Sequence, residues 1–170
     1  MEVEVASQAE FGDAAPHDVV EWCRSAQSRR AWPGTGEVLE AEGHIFFGVS
    51  LRAPGAPDAE LRVEERLGPV EGDGPDWKFT SKQRWLWPTG ETASGWAEYR
   101  LSDAGRRTSL QVRTRYLIPG HGVERAINRV RFTRAVEHAV ERYVSGLVLM
   151  YGQSPRNSEV STDNSDDRGH

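Results

Sequence analysis

Only one cysteine, Cys23, stands in the 170 residues, which excludes an internal disulfide and fits a reducing compartment. No apolar run approaches the ~20 residues that a membrane-spanning helix needs, so no membrane insertion is expected. The opening MEVEVASQAE has neither a basic stretch nor an apolar one behind it, so no secretory signal is expected and a cytoplasmic location is. The chain also lacks an excess of positive charge. Its net charge of −5 argues against DNA, which would be repelled by the molecule as a whole.

Catalytic signatures are missing as well. There is no Gly-x-Ser-x-Gly elbow and no His-Glu-x-x-His, and Gly34-Thr35-Gly36 lacks the third glycine of a dinucleotide loop. His17, His44, His121 and His138 are scattered, so neither a metal nor a cofactor is expected. Charged residues at 28% and apolar ones at 37% are ordinary for a folded domain. Residues 1–152 read as that domain. Residues 153–170 hold a single aliphatic side chain, Val160, and are expected to be a disordered polar tail.

What is present is alternation. Glu2 to Ala9 puts Val3 and Val5 on one face and Glu2 and Glu4 on the other, a half-buried strand. Gly12-Asp13 leads into a short helix with Pro16 in its first turn, Val19, Val20 and Cys23 along one side and Trp22 at its flank. Ser28 to Gly36, with Trp32-Pro33-Gly34, reads as a turn-rich connection. Strands are then predicted at about 36–42, 44–53, 59–68, 76–87, 92–103 and 106–118. The gaps between them suit hairpin loops, so the sheet should be antiparallel. After Pro119-Gly120-His121-Gly122 one helix runs to about Gly152.

The alternation also sorts faces. Expected inward are Ile45, Phe47, Val49 and Leu51; Leu61, Val63, Glu65 and Leu67; Trp77, Phe79, Ser81, Gln83, Trp85 and Trp87; Ala97, Tyr99 and Leu101; and Leu110, Val112, Thr114, Tyr116 and Ile118. A slip of one residue would invert any of these sets. The inner face is therefore apolar with a polar minority of Glu65, Ser81, Gln83, Tyr99, Thr114 and Tyr116. Each such group costs about 1–3 kcal/mol if buried without a partner. They must pair with one another, hold water, reach solvent at strand ends, or face a ligand.

The closing helix carries two apolar stripes. Val123, Ala126, Ile127 and Val130 form one; Phe132, Val136, Ala139, Val140, Tyr143 and Leu147 form another, rotated by more than a right angle. Arg125 and Arg129 extend the second stripe toward the N-terminus, where they could hold a carboxylate or phosphate or be solvated or paired with acids. From Gly105 to Ala135 there are eight arginines and one acid, Glu124. Pairing of Arg113 and Arg115 with Glu2 and Glu4, or with Glu98, across neighbouring strands would neutralise part of that run, and Arg134 can reach Glu137 one turn on.

The order of elements, with MEVEVASQAEF and DAAPHDVVEWC, the RRAWPGTGEV turn and the terminal GVERAINRVRFTRAVEHAVERYVSGLVLMYG, resembles the START-like or birch-allergen-like (SRPBCC) superfamily, in its bacterial polyketide cyclase/dehydrase and lipid-transport branch. The resemblance covers about residues 1–152. It implies an α+β helix-grip fold: a curved seven-stranded antiparallel sheet wrapped around the long C-terminal helix, two short helices after the first strand, and a hydrophobic cavity between sheet and helix. No functional residue transfers by motif.

Three functions are open. The first is binding of a hydrophobic or aromatic small molecule, lined by Phe47, Glu65, Phe79, Gln83, Trp85, Tyr99, Thr114, Tyr116, Arg129, Phe132, Val136 and Tyr143. The second is cyclase or dehydratase chemistry, with Glu65 as general base and Tyr99 or Tyr116 stabilising an enolate oxygen. The third is a protein or RNA interaction module using the basic 105–135 segment. Monomer and dimer are both compatible with the sequence.

Overall fold

In the computed structural model, seven strands form one antiparallel sheet in the order β1-β7-β6-β5-β4-β3-β2. The described residues are 2–52, 58–72, 74–88, 90–117 and 124–153, with the backbone alone for 124–129. Strand β1 (Glu2–Gly12) is followed by α1 (Pro16–Arg24) and a 3-10 turn over Gln27–Ala31. Then come β2 (Leu39–Ala41), β3 (His44–Leu51), β4 (Ala59–Leu67), β5 (Asp76–Leu86), β6 (Thr92–Asp103) and β7 (Arg107–Leu117), and α2 (Glu124–Gly152) closes the chain.

Alternation dictates the face of every long strand. Ile45, Phe47, Val49, Leu51, Leu61, Val63, Phe79, Trp85, Ala97, Tyr99, Leu101, Leu110 and Val112 are buried together beneath α2. Of the expected inward set, Leu67, Trp77 and Trp87 are only half-buried, at strand ends. Ile118 lies outside the described residues. Helix α2 presents Ala135, Val136, Ala139, Val140, Tyr143, Val144 and Leu147 to this core. Val130, from the rotated stripe, is 57% exposed, and the rest of that stripe, with Arg125 and Arg129, lies outside the described side chains.

The sequence reading departs from the structure in two places here. The strand expected at 36–42 is only three residues long, because Thr35 Oγ1 donates to the Gly48 carbonyl (2.6 Å) and holds the preceding chain out of sheet register. At its far end β3 is met by the turn instead: Ser50 N–H donates to the Pro33 carbonyl at 2.8 Å. Gly34 makes this approach possible, since its φ is +75° and a Cβ there would meet Ser50 Oγ at 2.0 Å. The second departure is the connection from Ser28, whose first part is a buried 3-10 turn with Ser28, Arg29 and Trp32 in the core.

On the sheet's outer side, β1 lies against β7 with Glu4 opposite Arg115. Arg115 reaches Glu2 at 2.9 Å, Arg113 reaches Glu4 at 3.6 Å and Arg107 reaches Glu10 at 3.1 Å. These half-exposed pairs each contribute under about 1 kcal/mol, yet they give three of the eight arginines of the basic run an acidic partner. The pairing of Arg134 with Glu137 does not form; both side chains project into solvent, where a long ion pair gains little.

Candidate functional site

The polar minority of the inner face meets a partner that the sequence reading assigned to a loop. The 3-10 turn after α1 directs Arg29 beneath the sheet, where its Nε donates to Glu65 Oε1 at 2.7 Å and Nη2 lies against the same oxygen. Its Nη1 donates to the Cys23 carbonyl (2.7 Å), Ser28 Oγ (2.8 Å) and Tyr143 Oη (3.1 Å). Gln83 Nε2 donates to the other carboxylate oxygen of Glu65 at 2.7 Å, and Trp85 Nε1 donates to Gln83 Oε1 at 3.0 Å. Tyr99 and Tyr143 share a hydrogen bond of 2.9 Å. One continuous network thus joins β4, β5, β6, α2 and the 3-10 turn, and both charged members are fully buried.

Register explains why these side chains converge. Glu65 stands directly opposite Gln83, which is opposite Gly95, which is opposite Tyr116. Burial alone would lower the pKa of the Arg29 guanidinium, but the Glu65 carboxylate outweighs it and Arg29 is held above its ordinary value. Burial raises the Tyr99 and Tyr143 phenols, with Arg29 partly offsetting it in both. Glu65 therefore lies where the general-base reading wanted it, without solvent, but both of its oxygens already accept hydrogen bonds. It is built as one half of an ion pair.

The aromatic side chains are likewise engaged with one another. Trp32 stacks on Tyr143 (centroids 4.3 Å apart) and meets the edge of Trp85 at 5.9 Å, while Phe47 lies 6.4 Å from Trp32. Phe79 stacks on Tyr99 at 4.5 Å, and the Arg24 guanidinium lies over the Phe79 ring, 5.1 Å from its centroid. Trp85 meets Tyr116 at 4.8 Å. Val136 is buried, and Phe132 is half-buried against Trp87 at 5.6 Å. Thr114 Oγ1 donates to the Val5 carbonyl at 3.2 Å. Arg129 lies outside the described side chains.

Apart from Arg29 Nη2, whose contact is the ion pair with Glu65, three buried polar atoms in this interior make no well-formed hydrogen bond to any described group: Trp32 Nε1, Ser81 Oγ and Tyr116 Oη, the last with the Thr114 side chain partly offsetting the effect of burial on its phenol. Ser81 and Tyr116 flank β6 at its smallest inner residues, since Ser81 is opposite Ala97 and Tyr116 opposite Gly95. The Tyr116 ring lies over Gly95, where a Cβ would meet it at 2.9 Å.

Arg29, Ser28 and Trp32 were not anticipated as interior groups. The available signal was Glu65 itself, an inward carboxylate on a central strand that needs a counter-charge from somewhere in the chain. Cys23 is a fully buried neighbour, and burial pushes its thiol up to about 12 with Arg29 partly offsetting. It should resist alkylation by iodoacetamide in the folded protein at pH 8 and react fully once denatured. Labelling of the native chain at the denatured rate would contradict this burial.

Outside the core, a cleft of about 180 Å³ lies between Pro33-Gly34, Arg52 and the α2 residues His138 and Arg142. It is smaller than the ~300–1,000 Å³ usual for small-molecule pockets. Among the described residues, His17, Asp18 and Glu21 form one exposed group whose ligand atoms lie within 4.8 Å of one another.

The sequence matches no family model and no curated protein. Solved structures do match. A conserved protein from Geobacillus kaustophilus aligns with a TM-score of 0.63 at 10% identity, covering 91% of this chain and 97% of its own. A START superfamily protein from Mycobacterium smegmatis aligns at 0.58 and 10% identity, covering 89% and 98%. The Zhui aromatase/cyclase from Streptomyces sp. R1128 aligns at 0.54 and 17% identity, covering 92% and 98%.

Proposed function

We propose, from the premise that this chain has the START-like helix-grip fold, that it binds an apolar, ring-bearing small molecule between the sheet and α2. The observation that carries the reading is the pair of buried, unsatisfied hydroxyls, Ser81 Oγ and Tyr116 Oη, set beside the Gly95 and Ala97 floor of β6. A buried hydroxyl without a partner destabilises the empty protein by about 1–3 kcal/mol, and a ligand oxygen that accepted from Tyr116 would recover that loss. The half-buried rings of Trp87 and Phe132 form an apolar rim. A fold shared with an aromatase/cyclase supports a ligand with rings. Binding is favoured over acid–base catalysis because Glu65 is tied to Arg29 and Gln83.

Tyr116→Phe separates this reading from a purely structural role. Removing an unsatisfied hydroxyl should leave the melting temperature unchanged or raise it, while weakening a bound ligand about tenfold, the worth of one hydrogen bond. The measurement is tryptophan quenching and native mass spectrometry against fatty acids, sterols and aromatic polyketides. Failure of the native protein to bind any of these would overturn the proposal. So would equal affinity of Tyr116→Phe for a ligand that is bound.

A further inference from the structure

The outer face of the sheet carries a charge arrangement that the fold does not need. Arg66 stands directly opposite Lys82, and Lys82 opposite Trp96. Like charges directly opposed across two strands are unfavourable. Arg62, Arg66, Lys82 and Arg84 are all exposed, and among the described residues none of them makes an ion pair. The neighbouring acid, Glu64, is taken by His44 at 2.8 Å. This cluster sits on a chain of net charge −5, so it is a local concentration and not a general excess.

Apolar side chains adjoin it on the same face. Phe46 is opposite Glu64, which is opposite Arg84. Leu39, opposite Phe46, is 55% exposed and Phe46 is 37% exposed. Exposed cations next to exposed apolar side chains are what the headgroup region of an anionic bilayer accepts: the cations meet phosphates and the apolar groups enter the acyl boundary. Single-stranded nucleic acid fits less well, because it stacks successive bases on a row of aromatic faces, and among the described residues Phe46 is the single exposed ring beside the cluster, with the His44 ring 6.1 Å from it. Trp96 is half-buried with the Arg115 guanidinium 5.8 Å over its ring.

We infer that this outer face, centred on Arg62, Arg66, Lys82 and Arg84 with Leu39 and Phe46 at its edge, docks on the surface of anionic lipid bilayers. The contact is independent of the interior site, because it lies on the opposite side of the sheet.

Flotation with phosphatidylcholine vesicles, with and without phosphatidylserine, tests it. The full chain should float with the anionic vesicles, remain behind with neutral ones, and be released by 0.5 M salt. Each basic side chain near such a surface is worth about fivefold in affinity, so Arg66→Glu with Lys82→Glu should lower binding at least ~25-fold. That double variant keeps two like charges opposed, so its melting temperature should match the native one. Arg66→Glu alone creates a cross-strand ion pair with Lys82, and it should melt no lower than native while still binding more weakly. Equal binding to both vesicle types, binding to neither, an unchanged double variant, or full displacement by an equal charge concentration of single-stranded RNA would each overturn the proposal.

Discussion

Arg29→Met is expected to destabilise the protein by about 3–5 kcal/mol, the range seen when one partner of a buried ion pair is removed. The substitution keeps an unbranched apolar stem of similar length, so little volume is lost. It strands the Glu65 carboxylate, which would retain only the hydrogen bond from Gln83 Nε2, and it leaves the Cys23 carbonyl without its 2.7 Å donor. For a chain of this size the loss corresponds to a fall in melting temperature of roughly 6–20 °C. Arg29→Met combined with Glu65→Leu should regain much of the deficit, since an apolar pair of similar volume is often neutral against a buried ion pair. Thermal unfolding of the three proteins measures both the loss and the recovery. A single variant that melted with the native protein would show that the pair contributes nothing to stability.

The second large effect should come from alkali. Burial raises the Tyr99, Tyr116 and Tyr143 phenols and takes the Cys23 thiol up to about 12. A group whose pKa is higher folded than unfolded stabilises the fold fully below its unfolded value and loses that contribution as pH rises toward the folded one. Free tyrosine titrates near ~10 and cysteine near ~8.5, so stability should begin to fall above about pH 9. Past pH 10 each group removes about 1.4 kcal/mol per pH unit, and four together remove about 5.5. Against the 5–15 kcal/mol typical of native domains, unfolding is expected between about pH 11 and 12. Tyrosinate absorbance from these three residues should then rise together with the loss of tertiary structure. Gradual ionisation of all four tyrosines near pH 10 in a chain that stays folded would contradict the burial.

Much of this was legible because strands repeat every two residues. Ile45 to Leu51, Leu61 to Glu65 and Leu110 to Tyr116 each place every second side chain in the core, and a periodic signal survives ignorance of tertiary context. Trp96, opposite Lys82 on the outer face, is tolerated there because Arg115 covers its ring. The α2 stripe was legible for the same reason, at the helical period. The centre of the site was not, because it depends on a five-residue 3-10 turn, Gln27–Ala31, too short to carry any period. Ser, Arg, Trp, Pro and Gly in succession read as solvent-facing turn chemistry. Whether Arg29 faces water or Glu65 is decided by how α1 docks, a contact spanning 36 residues of sequence.

The meeting of Pro33 with Ser50 bears on how copies of this chain can associate. Beyond its three-residue partner β2, strand β3 would offer a bare ribbon of amide and carbonyl groups to any neighbour. The Pro33 carbonyl and the Thr35 hydroxyl occupy part of that border, so an incoming chain finds hydrogen-bonding positions there already filled. The opposite border, β1, alternates Glu2, Glu4 and Glu10 with apolar residues, and charged side chains on an edge strand, already paired within the chain, disfavour the addition of another strand. Self-assembly by strand addition is thereby discouraged at both margins.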